Sequence, residues 1–171
     1  LEPFYDAYAA VVALAGATLR TVPLLPVPGP TPGARLDRAA LAAAVGERTR
    51  VVLVNSPHNP TGAVLPAEDL AEIARLATAA DAVVVTDEVY EHLTYGAVRH
   101  VPPATLPGLA GRTLTVSSAG KTFSVTGWKI GWVHGPAALV EAVQAVKQYL
   151  TYVSGGPFQH AVAEVLADDD G

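Results

Sequence analysis

The sequence predicts an α/β fold with a mostly parallel sheet flanked by helices, and three observations support this prediction. Apolar runs of strand length alternate with amphipathic segments of helix length. The runs at 49–54 and 82–86 are continuous, as expected for strands that are covered on both faces of a sheet. A third run, 112–117, ends in small and hydroxyl residues. The 171 residues suffice for one domain with a core.

The boundaries of the elements follow from residues that start or stop regular structure. Pro3 and Pro66 suit first helical turns, Gly16 suits a helix end, and Asp37 suits an N-cap. The expected order is helix 3–15, strand 17–24, Pro/Gly-rich loop 26–35, helix 38–45, strand 49–54, helix 66–80, strand 82–86, loop 93–111, strands 112–117 and 129–134, helix 136–152 and a last helix ending near 167. In the first helix we expect an apolar face formed by Phe4, Tyr8, Val11, Val12 and Leu14. In helix 66–80 we expect Leu70, Ile73, Ala74 and Ala77 to point inward.

The composition excludes several classes of protein. The net charge is −5 without a basic cluster, which argues against nucleic acid and anionic membranes as partners. The chain has no cysteine and no histidines at metal-binding spacing, so we expect no metal site. The longest apolar run, 7–17, is too short to span a bilayer, and no secretory signal opens the chain. We therefore expect a cytoplasmic protein.

Three polar clusters directly follow predicted strands, at 55–62, 87–90 and 117–121. Because ligands of such sheets bind outside the carboxyl ends of the strands, we expect the clusters to meet at one edge. Lys121 lies among small and apolar residues, and partial desolvation would favour its neutral, nucleophilic amine. Asp87, at the end of a buried strand, can pair with a cationic ring nitrogen.

The neighbouring side chains suit the remaining parts of a phosphorylated aromatic cofactor. Asn59 and Tyr90 can hydrogen-bond a phenolate oxygen, Ser118 and Lys129 can bind phosphate, and Tyr5 can stack on a flat ring. Pyridoxal 5′-phosphate (PLP) needs this set together with a lysine for covalent attachment and an acidic partner for its ring nitrogen. The sequence therefore predicts a PLP site.

Three motifs then carry a family resemblance: Asn59-Pro60-Thr61-Gly62, Asp87-Glu88-Val89-Tyr90, and Ser118–Ser124 with Gly127–Gly131. They are separated by 28 residues from Asn59 to Asp87 and by 34 from Asp87 to Lys121. Over essentially its whole length the chain resembles class I/II aminotransferases of PLP fold type I. Residues 2–6 and 127–129 look most like the kynurenine/glutamine transaminase and succinyldiaminopimelate aminotransferase branch.

The resemblance implies an aminotransferase that moves an amino group from an amino acid to a 2-oxo acid. Lys121 would bind the cofactor as a Schiff base and shuttle the proton, while Asp87 would keep the ring nitrogen protonated. Tyr90 and Asn59 would contact the ring 3-oxygen. The other implied contacts are Tyr5 on the ring face and Ser118 and Lys129 on the phosphate. Many relatives carry arginine at the Lys129 position, and lysine lacks its bidentate fork.

The resemblance also implies that residues 1–171 are part of a PLP-binding large domain. We expect a glycine-containing phosphate loop before Leu1, and a carboxylate-binding arginine and a small domain after Gly171. The family completes its site with a second subunit, so a homodimer is expected and the isolated chain should be inactive.

Alternative interpretations remain open at this point. The same ring contacts would serve a PLP-dependent lyase that cleaves the C–S bond of cysteine conjugates. A non-catalytic PLP-binding regulatory domain and an inactive piece are further alternatives. Among single residues, Asn59 could be a turn residue, Tyr90 a core residue, and Tyr5 a helix-packing residue.

Overall fold

The structure, a computed structural model, describes residues 1–27, 33–153 and 155–168. The described elements, in chain order, are α1 (Ala7–Leu14), β1 (Leu24–Val27), β2 (Gly33–Leu36), α2 (Arg38–Ala44), β3 (Val51–Asn55), α3 (Ala67–Ala79), β4 (Val83–Asp87), β5 (Thr113–Ser118), α4 (Ala119–Thr122), β6 (Gly131–His134), α5 (Ala137–Leu150) and α6 (Gly156–Leu166). Short 3-10 turns lie at Pro103–Thr105 and Thr126–Trp128.

The larger sheet has the strand order β3-β4-β5-β6. The first three strands are parallel, and β6 runs antiparallel to β5. Parallel neighbours need crossover connections, which α3 and the long segment between β4 and β5 supply. The predicted α/β class with a mostly parallel sheet is confirmed.

The core lies between α3 and this sheet. Leu70, Ile73 and Ala77 of α3 are at most 2% exposed and belong to one cluster with Val54 and Val84 of the sheet. These side chains recur on one face of α3, so the inward face predicted for 66–80 is confirmed. Full burial of a Leu or Ile side chain contributes about 1.5–3 kcal/mol, so this layer stabilises the packing of α3 on β3 and β4.

The region from 17 to 36 differs from the prediction. Residues 17–22 form no strand in the described chain. The Val22 carbonyl accepts the Glu2 N–H at 2.8 Å, and the next residue, Pro23, forms an isolated parallel bridge with Glu2. A strand needs a partner for its backbone groups, which a sequence pattern alone does not provide. Residues 24–27 and 33–36 were expected to lie largely in a loop, but they pair as the antiparallel strands β1 and β2. Positions 28–32 of that loop lie outside the described residues.

Pro26 does not stop β1, because a proline is tolerated in the edge strands of a two-stranded sheet. The strand pair is attached to the core through Asp69 of α3. This buried carboxylate accepts the backbone N–H of Leu36 at 3.0 Å and the Arg38 Nε–H at 2.6 Å. The predicted cap of α2 is confirmed, since the Asp37 side chain accepts the Ala40 N–H at 2.9 Å.

Helix α1 is shorter than the predicted helix 3–15, and its predicted apolar face is not buried in the structure. None of its residues is buried, and Leu14 is 88% exposed. A cavity of about 820 Å³ separates α1 from the free edge of β3 and is lined by Phe4, Tyr8 and Val12. None of the described helices has the length and apolarity that a membrane crossing requires.

Candidate active site

Parallel pairing brings the polar strand ends to one edge of the sheet. Asn55, the last residue of β3, pairs with Asp87, the last residue of β4. Asp87 in turn pairs with Val116, two residues before the end of β5 at Ser118. Because these strands run in the same direction, the three predicted clusters start side by side.

Both carboxylate oxygens of Asp87 accept hydrogen bonds at this edge of the sheet. Its Oδ2 accepts the Tyr8 hydroxyl at 2.5 Å, and its Oδ1 accepts the Val89 N–H at 3.3 Å. Its backbone carbonyl accepts the Ser56 N–H at 3.3 Å and the Asn55 side-chain amide at 2.9 Å. The half-buried carboxylate is thus oriented from its own turn and from α1, while Asn55 and Ser56 hold the backbone of Asp87.

Tyr8 contacts the candidate site through Asp87, whereas the sequence pattern predicts it only as part of the apolar face of the first helix. Burial, followed by the hydrogen bond to Asp87, raises the pKa of the Tyr8 phenol strongly, so it stays a proton donor. Its ring also meets the ring of Tyr5 edge to face, with centroids 5.7 Å apart. Tyr5, the predicted stacking residue, is 50% exposed. The spacing of three residues between the tyrosines was the available signal.

The loop 55–62 is held by Asn55, which the sequence analysis gave no role. The Asn55 Oδ1 accepts the backbone N–H of Asn59 at 2.8 Å, and its Nδ2 donates to the Pro57 carbonyl at 3.2 Å as well as to Asp87. Through these hydrogen bonds Asn55 connects the backbone of Asn59 to the end of β4. Asn59 itself is half-buried. A polar residue at the last position of a buried strand was the signal for this role.

His58 is buried in the same loop and hydrogen-bonds the Thr61 hydroxyl through Nδ1 at 2.8 Å. Burial lowers the pKa of the His58 imidazole, which favours its neutral form. The loop therefore presents no histidine charge to the edge near neutral pH.

Tyr90 lies half-buried in a turn whose neighbours are anchored on both sides. Glu88 is 1% exposed and contacts His100 Nε2 at 2.5 Å and the Thr86 hydroxyl at 2.7 Å. Glu91 accepts the hydroxyl of Ser117, in β5, at 2.7 Å. Glu88 is thus held by structural partners, and Glu91 ties the turn to the strand that leads to Lys121.

Lys121 lies in the short helix α4, directly after β5. The Ser118 hydroxyl caps this helix by accepting the Gly120 N–H at 3.2 Å. Ala119 and Gly120 are buried, whereas Lys121 itself is exposed. The expected partial desolvation of Lys121 is therefore wrong for this chain, because buried neighbours in sequence do not by themselves cover a side chain in space.

Antiparallel pairing returns the chain to the same edge. Ser118 pairs with Gly131 of β6, so Lys129 follows the Thr126–Trp128 turn close to that pair. Lys129 is exposed and has a left-handed backbone with φ of 57°. The Ser118 hydroxyl contacts the Ile130 carbonyl at 3.4 Å. The Ser118 hydroxyl and the Lys129 ammonium group thus both lie near the connection between β5 and β6.

The donor set of this edge fits PLP. A carboxylate offers roughly four lone-pair sites, and the two hydrogen bonds to Asp87 leave acceptor capacity for a protonated ring nitrogen. Lys121 is accessible for covalent attachment. None of the residues predicted to contact the cofactor lines the cavity beneath α1, which shares only Tyr8 with this edge.

Known proteins place the chain in a family. The model of the family "Aminotransferase class I and II" matches residues 1–171. The solved structure of N-succinyldiaminopimelate aminotransferase from Mycobacterium tuberculosis is similar over 99% of this chain and 43% of its own, at 58% identity and a TM-score of 0.94. A structure of YbdL from Escherichia coli, described as having a methionine aminotransferase function, is similar at 36% identity over 99% of this chain and 43% of its own, with a TM-score of 0.88.

Curated sequences agree with these structures. Kynurenine–oxoglutarate transaminase 3 from Bos taurus is 44% identical over 97% of this chain and 38% of its own length. The chain spans less than half of the curated relatives it matches, 42% in the case of DapC from Mycobacterium tuberculosis. The solved relatives confirm the predicted PLP fold type I. The chain belongs to the class I and II aminotransferase family.

Proposed function

We propose that the protein containing this chain is a PLP-dependent aminotransferase, which moves an amino group from an amino acid to a 2-oxo acid. PLP is the cofactor of the class I and II family to which the chain belongs. One observation carries the proposal: Tyr8 and Val89 hold the carboxylate of Asp87 at the end of β4. Lys121 follows the end of the neighbouring strand, β5. The bound cofactor would supply an electron sink that makes the α-proton of the substrate acidic.

Each predicted residue then has a task in the proposal. Asp87 keeps the ring nitrogen protonated by its negative charge. Lys121 Nζ would hold the cofactor covalently, and its amine would take and return the proton of the substrate α-carbon. Asn59 and Tyr90 donate hydrogen bonds to the ring 3-oxygen.

The remaining contacts fix the cofactor without taking part in proton transfer. Ser118 donates its hydroxyl to the phosphate, and Lys129 neutralises it as a point charge. Tyr5 covers one face of the ring with its half-exposed side chain. Residues 1–171 form part of the large domain in this proposal, and the homodimer and cytoplasmic location stay predictions from the sequence.

The proposal is tested with the full-length protein and PLP. Borohydride reduction of the visible cofactor band should attach the cofactor to Lys121, as located by peptide mass spectrometry. Lys121→Ala should abolish the band, and Lys147→Ala, a lysine change in the exposed last turn of α5, should leave it intact. A band that survives in Lys121→Ala would contradict the assignment.

Amino transfer itself is measured with a panel of donors and 2-oxo acids. N-succinyldiaminopimelate, kynurenine and methionine come first, because relatives named for these substrates are 58%, 44% and 36% identical to the chain. Formation of the new amino acid only when an oxo acid is present supports a transferase. Pyruvate and ammonia released from a cysteine conjugate without an oxo acid would instead support the C–S lyase.

A further inference from the structure

Tyr8 connects a helix that is not buried to the Asp87 side chain of the candidate site. It is in the first turn of α1, a helix that has no buried residue, yet its hydroxyl reaches Asp87 across 79 residues of sequence at 2.5 Å. The contact is half-buried and joins α1 to the end of β4. A hydrogen bond to an ionised group contributes more than one between neutral groups, and it also fixes the plane of the carboxylate.

The geometry leaves Asp87 free for a ring nitrogen while restricting its rotation. Tyr8 bonds Oδ2 and the Val89 N–H bonds Oδ1, so each oxygen has one donor and retains acceptor capacity. The Val89 contact, at 3.3 Å, comes from the same turn as Asp87 and is the longer of the two. Tyr8 is therefore the donor that orients the carboxylate from outside its own turn.

A second contact links Tyr8 to the ring face of the proposed site. Its ring packs edge to face against Tyr5, the residue expected to stack on the cofactor. The Tyr8 hydroxyl thus contacts Asp87, the proposed partner of the cofactor ring nitrogen, and the Tyr8 ring packs against Tyr5. Because the pKa of the phenol is raised by burial and by Asp87, Tyr8 remains a donor across the working pH range.

We propose that Tyr8 is a positioning residue, whose hydroxyl holds the Asp87 carboxylate in the orientation required to keep the PLP ring nitrogen protonated. This inference rests on the proposed function. It predicts that loss of the single hydroxyl changes the electronic state of the bound cofactor as well as its affinity.

The test uses Tyr8→Phe in the full-length protein loaded with PLP. A proton on the ring nitrogen makes the cofactor-linked nitrogen of Lys121 less basic by charge repulsion. A misaligned Asp87 holds that ring proton less firmly, so the visible band should titrate about one pH unit higher than in the wild type. The dissociation constant of PLP should rise on the order of tenfold. Tyr95→Phe, the same change at a residue that is 82% exposed, should leave both values unchanged.

A double-mutant cycle keeps the outcome decisive even if the variant is less stable. In the Asp87→Asn background, Tyr8→Phe should cause no further shift of the titration, because its effect passes through the carboxylate. A Tyr8→Phe protein that titrates as the wild type, or one that shifts equally in both backgrounds, overturns the inference. If the wild type itself forms no band and is not trapped on Lys121, the proposed function fails, whatever the variant does.

Discussion

At the scale of single residues, the proposed role of Asp87 places two demands on one side chain. A carboxylate beside a ring nitrogen must keep its charge and its direction at once. Direction comes from Tyr8 and Val89, and the backbone of Asp87 is fixed by Asn55 and Ser56. The tether to Asn55 follows from strand pairing, whereas the tether to Tyr8 depends on where α1 docks.

Removal of the Asp87 charge should separate cofactor binding from catalysis. We expect Asp87→Ala in the full-length enzyme to retain PLP on Lys121 but to lose roughly 100-fold or more in the rate of amino transfer, as when a preorganised charge-stabilising group is lost. Asp87→Asn, which keeps the shape without the charge, should fall to a similar rate. The single-turnover rate of the first half-reaction measures this effect, and near-normal turnover in Asp87→Asn would refute the assigned role.

The exposure of Lys121 could not be predicted from its sequence neighbours. Its motif and its distance from Asp87 predict it as the cofactor lysine, and its apolar neighbours predicted a desolvated amine. In the described chain the Lys121 side chain is exposed, although Ala119 and Gly120 directly before it are buried. Exposure depends on what covers a residue in space, and neighbours along the sequence do not determine that.

At the scale of elements, the pair β5–β6 brings the two predicted phosphate ligands together. Ser118 ends β5, and Lys129 precedes β6 by two positions. The strands approach closely at Gly131, where a Cβ would lie 2.9 Å from the Ser117 carbonyl oxygen. The absence of a side chain at Gly131 therefore sets the spacing of β5 and β6 beside Ser118.

We expect Gly131→Ala to disturb this spacing and to weaken PLP binding. The clash is with backbone, which cannot yield as a flexible side chain does, so the strain should cost about 1–3 kcal/mol in stability. Gly127→Ala is the matched control, since a Cβ there meets nothing within 4 Å. Melting temperature and PLP affinity are measured together. Equal behaviour of the two variants would show that the close approach is unimportant.

Other elements show the limit of pattern-based prediction. The pattern of 17–24 is that of a strand, but residues 17–22 have no paired partner strand in the described chain. Conversely, β1 and β2 form from a stretch whose prolines and glycines predicted a loop. Periodicity indicates which segments can pair, whereas pairing itself requires a second strand at the right place.

At the scale of the whole molecule, the layer between α3 and the sheet supports the strand ends from behind. Leu70 is 1% exposed in this layer. We expect Leu70→Ala to lower stability by about 2–5 kcal/mol through lost burial and a cavity, and thus to lower the melting temperature by several degrees. Leu14→Ala, at a residue that is 88% exposed, should have little effect. A similar melting temperature for the two variants, measured by calorimetry, would contradict this view of the core.

The sequence by itself determined the α/β class and the order of most elements, and it predicts Asn59, Asp87 and Lys121 as site residues, because hydrophobic period and motif spacing are local properties of the chain. Tertiary structure alone decided which donors meet Asp87, that Asn55 clamps the loop, that 17–22 lacks a strand partner and that Lys121 is exposed. Those facts depend on contacts between residues far apart in the chain. Tyr8 and Asp87 meet only because α1 docks beside β4, and no local pattern encodes that approach.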